Sequence, residues 1–232
     1  MYLFWLHNFI GLEIFYAILN MHLGQDNQNL AEILERFIDF LSYKSFLNPD
    51  LYFFERDIYV RAFELTVKDV HYFQPEITSE EIVDRFSSNQ NELPVFLYRF
   101  GNLIHQHNPQ SQSLKILHGI MRELCACEIY FSNQIDVGFT IVHGVGTVIG
   151  SRNIIGKGFK IYQNCTIGHK EIGGNGNIIG DNVTCFAGSN IIGENTIGNN
   201  SIIGANSNIF KDIPPNSIAF GNPLIIKKNI SS

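Results

Sequence analysis

The second half of the chain repeats a buried-type residue at every sixth position. One step is doubled, from Ile167 to Ile179, and the rest are regular: Ile149, Ile155, Ile161, Ile167, Ile179, Cys185, Ile191, Ile197, Ile203 and Ile209. Glycine directly follows several of these residues, as at Gly150, Gly156, Gly168, Gly180, Gly198 and Gly204. A helix repeats about every 3.6 residues and a flat strand every 2, so neither explains a period of six. A parallel β-helix does, because each hexapeptide forms a short strand whose aliphatic residue points inward.

The composition changes near residue 128, and the residues before it have helical spacing. Segments 29–47, 77–86, 92–107 and 113–126 are the predicted helices, with Thr78 or Ser79 as the N-cap of the second. The sequence therefore predicts an α+β chain, with a helical domain over residues 1–127 and a β-helix domain over residues 128–232.

Composition restricts the classes of partner. The 232 residues are 45% hydrophobic and 16% charged, which is enough for a buried core. The net charge of −6 gives no attraction for a phosphate backbone, so we expect no nucleic-acid partner. Four cysteines lack both a disulfide framework and zinc spacing, which favours reduced thiols, no metal and a cytoplasmic location.

The first 23 residues are strongly apolar. His7, Asn8, Glu13 and Asn20 interrupt them, and neither a basic segment nor a small-residue cleavage site is present. This pattern favours a mostly buried helix over an integral membrane segment. Attachment to a membrane surface stays open as an alternative.

One histidine lies where the repeat is irregular. Ile129, Ile135 and Ile141 also step by six, but Ile149 follows eight residues after Ile141, and the longer interval contains His143. Extra residues in a strand re-aim side chains and are common beside active sites. The alternative is that His143 only makes a local hydrogen bond in a loop.

Three segments carry a family resemblance: IVHGVGTVIG (141–150), IYQNCTIG (161–168) and IIGANSNIFKDIPPNSIAFGNP (202–223). They resemble the hexapeptide-repeat acyltransferases, in the branch of serine acetyltransferase and the O-acetyltransferases of bacterial surface saccharides. Weaker similarity reaches back to about residue 94. The resemblance implies a left-handed β-helix that forms trimers or dimers of trimers, with acetyl-coenzyme A bound between neighbouring prisms.

The resemblance also implies catalytic roles. His143 matches the general base that deprotonates an acceptor hydroxyl, and Glu128 stands where the family has an aspartate that orients the base. Backbone N–H groups near Gly168 and His169 match the donors that stabilise the oxyanion. The alternative for Glu128 is a cap on the first repeat, and for the His169 side chain an ordinary place in a loop.

Cofactor-side residues follow from the same resemblance. Ala187 and Ala205 match small residues against which the pantetheine arm lies. Lys211, and Lys227 or Lys228, could meet the phosphates of coenzyme A, although each could equally be a solvated surface lysine.

Departures from the serine acetyltransferase pattern affect the expected acceptor. Val142 replaces the aspartate before the histidine, and the loop segment EIGGNGN (171–177) has neither residue of the Arg–His pair that holds a carboxylate. An amino acid bound at this site would lose the charge partners of both its ammonium and its carboxylate group, which disfavours an amino acid as the acceptor. We therefore expect an acetyl-coenzyme A-dependent O-acetyltransferase of a sugar hydroxyl in a surface glycan, with serine O-acetylation as the alternative and a non-catalytic scaffold as a third hypothesis.

Overall fold

A computed structural model describes residues 56–88, 91–171 and 173–228. The predicted apolar helix over residues 1–23 and the predicted helix over residues 29–47 lie outside the described residues. The described residues form a helical region followed by a parallel β-helix, so the predicted fold class is confirmed at this level.

The helical region contains four helices within the described residues. They are α1 (Arg56–His71), α2 (Ser79–Ser88), α3 (Glu92–His107) and α4 (Gln112–Cys125). Helix α2 begins with a reciprocal cap, because Glu81 N donates to Thr78 Oγ1 at 3.2 Å and Thr78 N donates to Glu81 Oε2 at 2.8 Å. Thr78, rather than Ser79, is therefore the N-cap. Helix α4 ends at Cys125, and the C-cap residue Ala126, with a φ of 49°, turns the chain toward the first strand.

The β-helix is built from short strands that form three sheets. The first sheet has the order β1-β4-β7-β10-β13, the second β11-β8-β5-β2, and the third β15-β14-β12-β9-β6-β3. All pairs are parallel except β14 with β15, which is antiparallel. The strands are β1 (Glu128–Ile129), β2 (Gln134–Ile135), β3 (Thr140–Val142), β4 (Val148–Ile149), β5 (Ile154–Ile155), β6 (Lys160–Tyr162), β7 (Thr166–Gly168), β8 (Ile178–Ile179), β9 (Thr184–Cys185), β10 (Asn190–Ile192), β11 (Thr196–Ile197), β12 (Ile202–Ile203), β13 (Asn208–Ile209), β14 (Ser217–Phe220) and β15 (Ile225–Lys228).

The six-residue period has the structural meaning that the sequence predicts. Every one of the ten repeat residues from Ile149 to Ile209 is buried inside the β-helix. Regular coils are 18 residues long, as where Ile178 pairs with Thr196. The first coil is longer, since Glu128 pairs with Val148, and the loop before β8 lengthens another, since Ile154 pairs with Ile178. The two irregularities read from the sequence are thus absorbed at turns and leave the strand pairing intact.

Asparagines stack through the interior at one corner of the β-helix. Asn133 Oδ1 accepts from Asn153 N at 2.8 Å, Asn153 Oδ1 from Asn177 N at 2.9 Å, and Asn177 Oδ1 from Asn195 N at 3.1 Å. Each acceptor also takes the side-chain amide of the next residue, at 3.0 to 3.2 Å. This ladder satisfies polar groups that the tight corner buries.

The helical region packs on the first coil through helix α3. Tyr98 Oη donates to Asn133 O at 2.9 Å, and Asn102 Nδ2 donates to the carbonyls of Phe131 and Asn133 at 2.7 and 2.9 Å. The two parts share one continuous set of buried apolar side chains. None of the helices in the described residues is both long and apolar enough to cross a membrane.

Candidate functional site

His143 lies beside a column of residues at one corner of the β-helix. We call the turns between the third and first sheets the His143 corner; they comprise residues 143–147, 163–165, 186–189 and 204–207. Val142 pairs with Tyr162. The two extra residues, His143 and Gly144, follow, and the match between the coils resumes where Asn164 N donates to Val145 O at 3.0 Å. Gly188 N donates to Gln163 O and Asn206 N donates to Ala187 O, both at 2.9 Å. One residue from each coil therefore lines up in the order Val145, Gln163, Ala187 and Ala205, and His143 lies in the inserted part of the first turn, directly after β3.

The backbone of His143 has an unusual conformation. Its φ of 54° is in the left-handed region, and its N–H donates to Asn91 Oδ1 at 3.0 Å. The residue is exposed. The turn that holds the two extra residues thus presents an imidazole to solvent beside the column.

Aromatic side chains next to the column were not singled out from the sequence. Tyr162 and Phe186 occupy the position that glycine fills in many other repeats, and their ring centroids are 5.0 Å apart. This break in the glycine pattern is the feature of the sequence from which the two aromatic residues could have been predicted. Gln163, between Val145 and Ala187 in the column, has a buried Oε1 without a hydrogen-bond partner in the described residues. Together they provide an apolar wall and an unsatisfied acceptor beside the predicted base.

A second group of predicted residues lies at another corner. We call the turns between the first and second sheets the loop corner; its described residues are 130–133, 150–153, 169–171, 173–177, 193–195 and 210–212. Gly168 is the last residue of β7, and His169 opens the inserted loop. Lys211 is exposed in the last of these turns. The first sheet separates this corner from the His143 corner, so the fold does not bring the two groups together within one chain.

The inserted loop has an Arg–His pair at its base that sequence reasoning missed. Arg152 Nη2 lies 3.3 Å from His169 Nδ1 and also donates to Gly174 O. His169 Nε2 is 2.5 Å from Ser151 O. The arginine comes from the preceding coil rather than from the loop, so a search of the loop sequence alone could not find it.

Glu128 lies at the start of the first sheet and contacts helix α4. Its Oε1 is 3.7 Å from Arg122 Nη1 and 3.9 Å from His118 Nδ1. Burial lowers the pKa of His118 below its usual range, against the opposing charge of Glu128. The structure contains no hydrogen bond between Glu128 and His143, both of which it describes. Orientation of His143 by Glu128 therefore stays a prediction.

The other two candidate phosphate-binding lysines are exposed to solvent. Lys227 and Lys228 lie on β15, and Lys227 Nζ is 5.7 Å from the centroid of the Phe220 ring. Both side chains are exposed, which fits a phosphate contact and a solvated surface lysine equally well. In the described part of the chain, no three His, Cys, Asp or Glu side chains form a group suited to a metal ion.

A small pocket opens where the helices meet β3. Its wall includes Val70, Phe73, Glu92, Phe139 and Thr140. Glu92 Oε1 accepts from Arg85 at 3.2 Å, whereas the buried Oε2 has no partner in the described residues. The pocket thus offers one free carboxylate oxygen on a largely apolar wall.

Comparisons with known proteins place this fold. No protein-family model and no curated protein sequence matches the chain. The serine acetyltransferase of Neisseria gonorrhoeae is similar in structure, with a TM-score of 0.64 and 22% identity over 75% of this chain and 67% of that one. Soybean serine acetyltransferase complexed with serine has a TM-score of 0.63 and 25% identity, over 72% of this chain and 68% of that one. The serine acetyltransferase of Vibrio cholerae has a TM-score of 0.65 and 20% identity, over 87% of this chain and 72% of that one.

These similarities define the class of fold. The chain has a helical region followed by the left-handed β-helix of the hexapeptide-repeat acyltransferases. Within that class, its fold is that of the serine acetyltransferase structures, which confirms the resemblance seen in the sequence.

Proposed function

We propose that the protein is an acetyl-coenzyme A-dependent O-acetyltransferase with His143 as its general base. The observation that carries the proposal is the exposed His143 in the inserted turn beside the column of Val145, Gln163, Ala187 and Ala205, at one corner of a serine acetyltransferase fold. A long thioester arm lying over the small residues Ala187 and Ala205 would reach the exposed imidazole near the first coil. The similarity to the soybean enzyme, at 25% identity, supports an acetyltransferase.

The reaction needs no protein nucleophile. The imidazole of His143 takes the proton from an acceptor hydroxyl as its oxygen attacks the thioester carbonyl carbon. The tetrahedral intermediate collapses with cleavage of the C–S bond, and the imidazolium returns its proton to the coenzyme A sulfur. Glu128 would stabilise the imidazolium, and backbone N–H groups near Gly168 and His169 would stabilise the oxyanion.

We further propose that two chains share each site. The base and the small residues lie at the His143 corner, whereas Gly168, His169 and Lys211 lie at the loop corner. A neighbouring copy that sets its loop corner beside this His143 corner would complete the site. Outward isoleucines on the second sheet, Ile154 and Ile178, are 49% and 51% exposed, which also favours association. The proposed assembly is a trimer or a dimer of trimers, and light scattering at micromolar concentration tests it.

We favour a sugar hydroxyl of a surface glycan as the acceptor, modified in the cytoplasm where acetyl-coenzyme A is made. Val142 carries no charge to bind an ammonium group, and a neutral sugar offers none. We also propose that the chain divides into a helical domain up to residue 127 and a β-helix domain from residue 128, and that the β-helix domain contains the catalytic residues.

Serine is the second candidate, and one contact favours it. The pair of Arg152 and His169 places a guanidinium beside an imidazole at the loop corner. Such a pair can bind a carboxylate, which removes one of the two objections that the sequence raised against an amino acid. The missing ammonium partner at Val142 still weighs against it.

Coenzyme A release tests the two acceptors directly. The purified protein is given acetyl-coenzyme A with L-serine, or with a panel of oligosaccharides and polysaccharide fragments, and the free thiol is measured. Release with a glycan and not with serine supports the first proposal. Serine-dependent release that Arg152→Gln weakens through KM, while the control Lys170→Gln leaves it unchanged, supports the second. No release with any acceptor, together with no thermal shift on adding coenzyme A, supports the scaffold.

A further inference from the structure

Asn91 stands at the N-cap of helix α3 but does not cap it. Its φ of −79° and ψ of −39° are helical, and its side chain makes no capping hydrogen bond. Asparagine is favoured at this position because its oxygen usually accepts from the N–H groups of its own helix. Here Asn91 Oδ1 instead accepts from His143 N at 3.0 Å, a residue 52 positions away. The contact therefore serves the His143 turn rather than the helix.

The His143 turn needs such a partner. Among the non-glycine residues described, left-handed φ values in the β-helix corners fall mostly on asparagine, which tolerates them well: Asn164, Asn182, Asn200, Asn206 and Asn216. His143, at φ 54°, is in the turn with two extra residues, where the regular pairing between coils is interrupted. A hydrogen bond to its N–H fixes the peptide plane, and the imidazole is only two side-chain torsions away from that plane. Holding the backbone thus limits where the ring can lie.

We propose that Asn91 is a positioning residue for His143, through which the helical region sets the geometry of the base. This inference rests on the proposed function of His143 as general base. Asn91 acts through the backbone of His143 and need not touch the acceptor or the thioester. Helix α3 is anchored to the first coil by Tyr98 and Asn102, so its N-terminus is a fixed support for this contact.

Hydrogen exchange tests the contact itself. The variants are Asn91→Ala, which removes the acceptor, and Asn91→Asp, which keeps an oxygen there. Asn102→Ala is the matched control, since it breaks other bonds from α3 to the first coil and none to His143. We expect the His143 amide to exchange about tenfold faster in Asn91→Ala alone. An unchanged His143 amide in Asn91→Ala overturns the inference, whatever the enzyme does.

Kinetics then test the positioning role with the acceptor that supports transfer in wild type. We expect kcat to fall about tenfold to a hundredfold in Asn91→Ala, because small displacements of a catalytic group are costly. The KM for acetyl-coenzyme A and the melting temperature with coenzyme A should match those of Asn102→Ala, and Asn91→Asp should recover most of kcat. A wild-type kcat in Asn91→Ala, or an equal loss in Asn102→Ala, contradicts the role. Absence of transfer in wild type instead contradicts the proposed function, while the exchange result still decides the contact.

Discussion

Arg99 of helix α3 and Asp69 of helix α1 form a buried, two-point ion pair. Arg99 Nε donates to Asp69 Oδ2 and Nη2 to Oδ1, both at 2.7 Å, and Asp69 Oδ1 also accepts from Gly138 N at 2.8 Å and Phe139 N at 3.1 Å. Burial alone would lower the pKa of Arg99, but the hydrogen bonds and charge of Asp69 raise it. One carboxylate thus joins two helices to the first coil of the β-helix.

Removing one partner of this pair should be costly. We expect Arg99→Met to lower the free energy of unfolding by about 3–5 kcal/mol, because it leaves the buried Asp69 charge without its counterion. Urea denaturation measures the change. The double variant Arg99→Met, Asp69→Leu should be less destabilised than the sum of the two single variants. Strict additivity would show that the pair does not act as a unit.

Stability near neutral pH should depend on His118. Burial lowers the pKa of this imidazole in the folded state below its ordinary value of 6.5. As the pH falls below 6.5, His118 therefore binds a proton more readily in the unfolded chain than in the folded one. We expect this contribution to be fully present above pH 6.5 and to be lost as the pH falls below it. His118→Phe, which keeps the contacts with the Tyr130 and Phe131 rings, should flatten the dependence. Denaturation midpoints measured from pH 8 to pH 5 check the slope, and equal slopes would refute the assignment.

The asparagine ladder should be sensitive at its centre. Asn153 is fully buried, donates to Asn133 and accepts from Asn177. We expect Asn153→Ala to destabilise the protein by about 1–3 kcal/mol for each polar group left unpaired. Asn208→Ala, which removes one partly exposed bond from Asn190, is the control and should cost less. If thermal or urea unfolding shows similar losses of stability in both variants, the buried ladder contributes no more than a partly exposed hydrogen bond.

The sequence carries the information for the repeat and much less for the contacts between distant segments. The bounds of α3 at Glu92–His107 and the inward row of isoleucines follow from local periodicity. The partners of Glu128 on α4, the pairing of Arg152 with His169, and the bond from Asn91 to His143 do not. Each depends on how far one coil or helix is displaced against another, and no local pattern encodes that offset.

Coenzyme A binding should require open space at the His143 corner. Ala205 is exposed there, one coil beyond Ala187. We expect acetyl-coenzyme A to raise the melting temperature of the wild type, since a ligand that binds only the native state stabilises it. Ala205→Trp should abolish this shift by filling the groove, whereas Lys115→Trp, at an exposed position of α4, should retain it. A shift that survives Ala205→Trp would place the cofactor elsewhere.

The central claim is that His143 removes the acceptor proton, and the rate of transfer by His143→Ala tests it most directly. We expect that rate to fall by about a hundredfold to ten-thousandfold, the usual contribution of a positioned general base, with oligomer size and the coenzyme A thermal shift unchanged. Glu128→Gln should lose less, because it keeps the shape of the side chain, and His105→Ala on α3 should lose nothing. A folded, cofactor-binding His143→Ala protein that acetylates its acceptor at the wild-type rate would contradict the account.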